Sequence, residues 1–251
     1  MENNSYKTGL LDGLPIALGY LSVSFAFGIF SSGAGLLIWQ SVLVSLFNIT
    51  SAGQLAAVPI IASLGSLLEL CLIELIINLR YSLMSVSLSQ KLSPSVSVFD
   101  RLIIAFVNTD EVFATAHSKD GLLGKRYMFG LITLPYIGWA AGTFIGAFAG
   151  EILPPVLISA LGIAIYAMFI AIVVPKSRSD GRVSAAALLS IAISVLMRYA
   201  PVLRDIPSGF SVIISACLVS LVLAWLCPIE DEGGEGGEDA SSAGAGGDGD
   251  A

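Results

Sequence analysis

Eight apolar runs, near residues 14–30, 36–62, 67–88, 102–117, 127–149, 152–174, 183–200 and 209–227, fill most of the chain and constrain its fold more than any motif does. A helix needs about 20 mostly apolar residues to cross a bilayer, and in lipid a helix satisfies its own backbone groups. The expected class is therefore all-α: a polytopic membrane helix bundle of seven to eight spans. Composition agrees, since 55% of the 251 residues are hydrophobic and 12% are charged, against about 25% charged in soluble domains. Two runs are irregular. The second has a polar middle, NITSAGQ at 48–54, followed by Pro59; the fourth is short and holds Asn108, Asp110 and Glu111. Whether these two cross fully or are broken or re-entrant leaves the span count open between seven and eight.

The net charge of -7 belongs to the end of the chain. Residues 230–251 hold 8 of the 19 acids, so the remaining 11 acids nearly balance the 12 basic residues of the body. Two parts follow: a membrane domain over residues 1–227 and an acidic, glycine-rich tail over 228–251. The tail has too few apolar groups to build a core and is expected to stay disordered. Cys71, Cys217 and Cys227 lie in or beside apolar stretches without paired spacing, and the single histidine, His117, sits in a charged connection. No metal site, disulfide framework, cofactor motif or nucleic-acid partner is expected.

Lys and Arg bias sets membrane orientation. With all eight runs crossing and the N-terminus cytoplasmic, the inside holds Lys7, Lys119, Lys125, Arg126, Lys176, Arg178 and Arg182. The outside then holds Lys91, Arg101 and Arg204. In the fifth run Gly138, Gly142, Gly146 and Gly150 recur every fourth residue. Such a stripe lets another backbone approach closely, on a neighbouring helix or on a second subunit. A faint echo relates LPIALGYLSVSFAFG, from Leu14, to LPYIGWAAGTFIGAF, from Leu134, as in transporters built of two related halves.

The polar residues inside the runs carry the functional expectation. At about 100° per residue, Glu74, Asn78, Tyr81 and Ser85 share one helical stripe, and Arg80 points elsewhere. Ionisable groups in lipid are costly, so this stripe faces a bundle interior or a watery cavity and Arg80 needs an acid on another helix. Asp110 or Glu111 suits it, with Asp12 in reserve. The break at 48–54, with Asn48, Ser51 and Gln54, offers free amides and helix ends to a polar ligand. A polar kink or an inter-helix clamp that only fixes packing is the plainer alternative for both features.

DGLPIALGYLSVSFAFGIF at 12–30, SAGQ at 51–54, NLRYSLMSVSL at 78–88, TDEVFATA at 109–116, GTFIGAFAG at 142–150 and ALGIAIYAMFIAIVVP at 160–175 resemble, in order, the azaleucine-resistance (AzlC-type) permease family. TDEVFA and the arginine-containing block are the most specific. The resemblance implies the large subunit of a branched-chain amino acid exporter in the cell (inner) membrane, acting on valine, leucine or isoleucine with the proton gradient. It also implies a small, separately encoded AzlD-type membrane partner. It does not reach the tail. A zwitterionic substrate needs an anion-binding end, from the 48–54 break or Arg80, and an acid for its ammonium, from Asp110 or Glu111.

The competing readings are a permease for another small hydrophobic solute, a non-transporting scaffold, and an intramembrane hydrolase. The last has little to build on: no span carries a histidine, HExxH is absent, and GDGD at 247–250 lies in the tail. An enzyme is not expected.

Overall fold

The computed structural model describes residues 5–154, 156–157, 163, 167, 170, 173–200 and 206–226. The acidic tail and most of the run at 152–174 lie outside the described residues. Among the described residues the fold is all-helical, with nine helices named here: α1 (Tyr6–Gly33), α2 (Ile38–Phe47), α3 (Ser51–Ala62), α4 (Leu67–Lys91), α5 (Val98–Phe106), α6 (Asp110–His117), α7 (Lys125–Ile152), α8 (Gly181–Tyr199) and α9 (Ser208–Leu226). Four of them, α1, α7, α8 and α9, are long and apolar enough to cross a membrane. Helix α4 has 25 residues, enough to cross, but it carries Glu69, Glu74, Arg80 and Lys91.

The central pair is α1 and α7, each of 28 residues. They run parallel: Gly9 and Gly13 lie against Tyr127 and Leu131, Ala17 against Gly138, Phe25 against Gly146, and Ser32 against Gly150. A Cβ on Gly142 would overlap the Leu21 carbonyl and the Ser24 hydroxyl, and one on Gly146 the Phe25 carbonyl. The partner of the glycine stripe is thus internal, and α1 answers it with its own small residues, Gly9, Gly13, Ala17, Ser24 and Gly28, all buried. These are also the two segments of the sequence echo, with Pro15 and Pro135 at matching places.

The two irregular runs do not cross. Helix α2 has 10 residues and α5 has 9, which at 1.5 Å per residue gives about 15 Å and 14 Å, half the hydrocarbon thickness. Helix α2 starts beside the far end of α1, where Ser31 Oγ bonds Ser41 Oγ at 2.8 Å, and descends along α7, where Ser45 meets Thr143 at 2.6 Å. The chain breaks at Asn48–Thr50, and α3 then climbs back. Val58 packs with Leu36 and Phe27, and Ile61 with the same cluster beside Phe30 and Ala34, at the level where α2 began.

A mirrored hairpin enters from the other end. Arg101 on α5 donates to the Ser89 and Ser93 carbonyls at the end of α4. Asn108, past the end of α5, reaches Ser85, six residues back from the end of α4, and α6 returns until Lys91 of α4 donates to the His117 carbonyl. The legs lean on neighbours, α2 on α7 and α3 on α4, and α5 and α6 both on α4 and α7.

The expected count of seven to eight crossings is therefore not reproduced, because the runs at 36–62 and 102–117 each return to the side they enter from. The same correction moves Lys91 and Arg101. Both lie at the end of the molecule that holds the start of α1 and the start of α7, together with Lys119 on Asp12 and Lys125 on Asp100 at 2.8 and 2.7 Å. Two uncounted reversals cancel, so residues 118–126 keep their expected side while 63–101 change theirs. At this end Lys125, helped by Ser97, holds the Asp100 carboxyl below the usual carboxylate range.

Candidate functional site

The two hairpin tips, Asn48–Thr50 and Val107–Thr109, meet halfway along α4, and their polar residues stand around two cavities. Each returning leg begins at a threonine, Thr50 for α3 and Thr109 for α6. Thr109 caps its helix by accepting from the Val112 amide; Thr50 makes no such cap. Its hydroxyl instead donates to Asn78 Oδ1 at 2.6 Å. The first amides of α3 are left without a side-chain cap, at the positive end of the helix.

The first cavity, about 700 Å³, lies between the tips and the stripe Glu74, Asn78, Tyr81 and Ser85 expected from helical periodicity. Glu74 Oε2 accepts from Asn48 Nδ2 and from Asn78 Nδ2, each at 2.8 Å. Asn108, only 4% exposed, donates through Nδ2 to Ser85 Oγ at 3.1 Å. Apart from Ser82, the rest of the wall is apolar, with Val44, Phe47, Ile61, Leu70, Leu102 and Phe106 among its residues.

The second cavity, about 650 Å³, is the charged one, bordered by Ser51, Arg80, Asp110, Glu111 and Lys176 along with Tyr20 and Trp139. Arg80 Nη2 meets Asp110 Oδ2 at 2.8 Å and donates to the Tyr81 hydroxyl at 2.6 Å. Of the two acids proposed for Arg80, Asp110 is the one that reaches it. Glu111, one position on, turns instead to the Tyr20 hydroxyl, which donates to its Oε2 at 2.6 Å and lies 2.5 Å from Thr109 Oγ1. Adjacent helical positions point about 100° apart, so one arginine cannot engage both. The pair is more open than a buried ion pair: the two side chains are 56% and 48% exposed. Asp12, the reserve partner, is taken by Lys119 and Tyr127.

Ile49, Tyr81 and Thr109 border both cavities and form the partition between them. Gln54 reaches neither. It is fully buried and ties the hairpin together, its Nε2 donating to Ser45 Oγ and to the Asn48 carbonyl at 2.9 and 2.7 Å. The stripe of Gly138, Gly142, Gly146 and Gly150 stands apart from both cavities, in the seam with α1. Among the described residues, no group of three His, Cys, Asp or Glu is placed to hold a metal.

Tyr20, Trp139 and Lys176 are site-lining residues that sequence reasoning did not single out. Tyr20 and Trp139 pack edge to face at 5.1 Å. A tyrosine midway along an apolar helix is the signal that would have marked Tyr20, since a buried hydroxyl needs a partner. Lys176, expected in a loop, lies in the helical stretch 173–179 instead and borders the charged cavity.

A family model described as AzlC protein matches residues 15–153, the stretch from α1 to α7 that holds both hairpins. An uncharacterized membrane protein of Archaeoglobus fulgidus is 32% identical over 176 residues, covering 68% of this chain and 75% of the relative. The inner membrane protein YgaZ of Escherichia coli K12 is 29% identical over 236 residues, 91% of this chain and 94% of that one. No solved structure matches the chain significantly.

Proposed function

The chain belongs to the AzlC family, and on that premise we propose that it is a secondary transporter exporting branched-chain amino acids. It is a multi-pass membrane protein; as proposed, it resides in the inner membrane, is driven by the proton gradient and works as the large subunit beside a small hydrophobic AzlD-type partner. The observation that carries this reading is the pair of hairpins entering from opposite ends, whose tips face polar cavities halfway through the bundle. Broken helices of this kind bring free amides and carbonyls to the middle of a membrane only where they line a cavity, and they mark transport sites.

The chemistry suits a small zwitterion with an aliphatic side chain. The walls at Phe47, Ile61, Leu70, Leu102 and Phe106 are wide and apolar. Arg80 and the uncapped start of α3 supply positive potential on the charged side. In this reading Arg80 and Asp110 line the path, and Glu111, held by Tyr20 and, among the described residues, by no cation, carries the coupling proton. Displacement of the partition at Ile49, Tyr81 and Thr109 would join the two cavities. The Lys and Arg gathered at the start of α1, at Lys91 and Arg101 and at Lys119 and Lys125 put that end in the cytoplasm.

The test is counterflow of labelled leucine in proteoliposomes, with and without the small subunit and an imposed pH gradient. Saturable exchange, accelerated by the gradient and competed by valine and isoleucine, is expected. No exchange under any of these conditions would refute the transport reading. A scaffold would give none, and a permease for another solute would give exchange with that solute only.

A further inference from the structure

Tyr20 has one hydroxyl proton and two oxygens within reach of it: Glu111 Oε2 at 2.6 Å and Thr109 Oγ1 at 2.5 Å. A hydroxyl donates once, and an ionised carboxylate can only accept. The phenol proton therefore goes to Glu111, and the Thr109 hydroxyl donates to the Tyr20 oxygen. The result is one directed chain from Thr109 through Tyr20 to Glu111, and it joins two different parts of the bundle. Tyr20 is buried on α1, in the central α1–α7 pair, with its ring edge to face against Trp139 of α7. Thr109 and Glu111 belong to the second hairpin, at its tip and in the first turn of α6. Thr109 is also one of the three residues that part the two cavities. The other ionisable groups around the second cavity are Arg80 and Asp110, which pair with each other, Tyr81, which accepts from Arg80, and Lys176. Helix α7 presents Trp139 there and α3 presents Ser51, neither of which titrates. Among the described residues, Glu111 takes its side-chain hydrogen bond from Tyr20 and none from these groups.

We propose that Tyr20 is the residue through which the coupling proton acts on the partition between the two cavities. The inference rests on the reading of Glu111 as proton carrier and adds what that proton does. While Glu111 is ionised, its bond from Tyr20 is charge-assisted, roughly twice as strong as a neutral one. The Tyr20 oxygen, polarised by that bond, accepts more strongly from Thr109 in turn. The tip of the second hairpin is then held against α1, and the partition stands. A proton on Glu111 removes the charge and weakens both bonds at once. Thr109 is released from α1, and the partition it forms with Ile49 and Tyr81 gives way. Tyr20 is a positioning residue in this scheme: it keeps its own proton and passes on the state of its neighbour.

The experiment is leucine counterflow in proteoliposomes with the small subunit, with and without an imposed pH gradient. The readout is the ratio of the two rates, whatever the rate at equal pH. Tyr20→Phe keeps the ring on Trp139 and removes the hydroxyl, and Thr109→Val removes the other hydroxyl. In each the ratio should fall to unity, while Thr109→Ser, which keeps its hydroxyl, should retain the acceleration. Acceleration that persists in a folded Tyr20→Phe, even with a shifted pH profile, would overturn the proposal. Its loss in Glu111→Gln alongside would leave the proton carrier standing. Equal loss in Thr109→Val and Thr109→Ser would also overturn the proposal, since the hydroxyl would not be what matters. Where Tyr20→Phe fails to fold, the two Thr109 variants decide. Acceleration that survives in Glu111→Gln would remove the proton carrier and this inference together. No exchange by the unmodified chain would sink the transport reading with both.

Discussion

The α1–α7 seam and the hairpin tips are both built from small and polar residues inside a membrane domain, and they use them in opposite ways. Along the seam, glycines let backbones meet with no room for a Cβ, and Ser24, Gly28, Gly142 and Gly146 are all buried. At the tips, asparagines and threonines keep backbones apart and surround two cavities of about 700 and 650 Å³. In lipid there is little hydrophobic drive between helices, so rigidity comes from close packing, and a place left unpacked is a place where something else binds. The seam is the close-packed frame, and the tips are where the bundle leaves room.

The largest effect should come from filling the seam. Gly142→Leu and Gly146→Leu each put a side chain into a backbone carbonyl of α1. We expect a loss of at least about 3 kcal/mol, above the usual range for overpacking because backbone cannot yield. Folded protein in detergent, read by size-exclusion profile, should largely disappear. Gly19→Ala, where an added Cβ meets nothing within 4 Å, should leave that profile unchanged. A normal profile for both leucine variants would mean that the seam is not the frame.

Breaking the charged cavity should separate stability from activity. The Arg80–Asp110 pair is half exposed, so Arg80→Ala should cost only about 1 kcal/mol or less of stability while abolishing leucine exchange. In a double-mutant cycle Asp110→Asn should couple to Arg80→Ala, and Glu111→Gln should add independently while removing the pH dependence of exchange. Additivity of Asp110→Asn with Arg80→Ala would dissolve the pair. Normal pH dependence in Glu111→Gln would remove it as the proton carrier.

The reversal of both hairpins can be read without touching function. In a background lacking native cysteines, single cysteines at Gln90 and Ser118 should both resist an impermeant thiol reagent in intact cells, and one at Ser63 should react. Opposite behaviour of Gln90 and Ser118 would mean that the run at 102–117 crosses after all. The smallest effect concerns the tail. Deletion from Glu230 onward should leave yield and exchange unchanged, because a segment so poor in apolar groups has nothing with which to dock. Lost exchange at normal yield would give the tail a role.

By itself the sequence determined the membrane class, the helical state of the long runs that the structure describes, the two places where helices break, the existence of a close-packed glycine face and the polar stripe on α4. Each of these depends on composition and spacing within about 20 residues, and lipid punishes departures from them strongly. The resemblance to the AzlC-type permeases was legible in the same short blocks. Tertiary structure alone decided which way the chain leaves each break. A polar interruption permits continuation or reversal equally, and the choice falls to distant contacts such as Val58 on Leu36 and Phe27, or Arg101 on Ser89. From that choice follow the side of Lys91 and Arg101, the facing of the two tips, the selection of Asp110 over Glu111 by Arg80, and the place of Glu74 as the single charged residue, among those described, around the first cavity. None of these pairings is encoded in local spacing, because each joins residues whose distance is set only when the helices between them have packed.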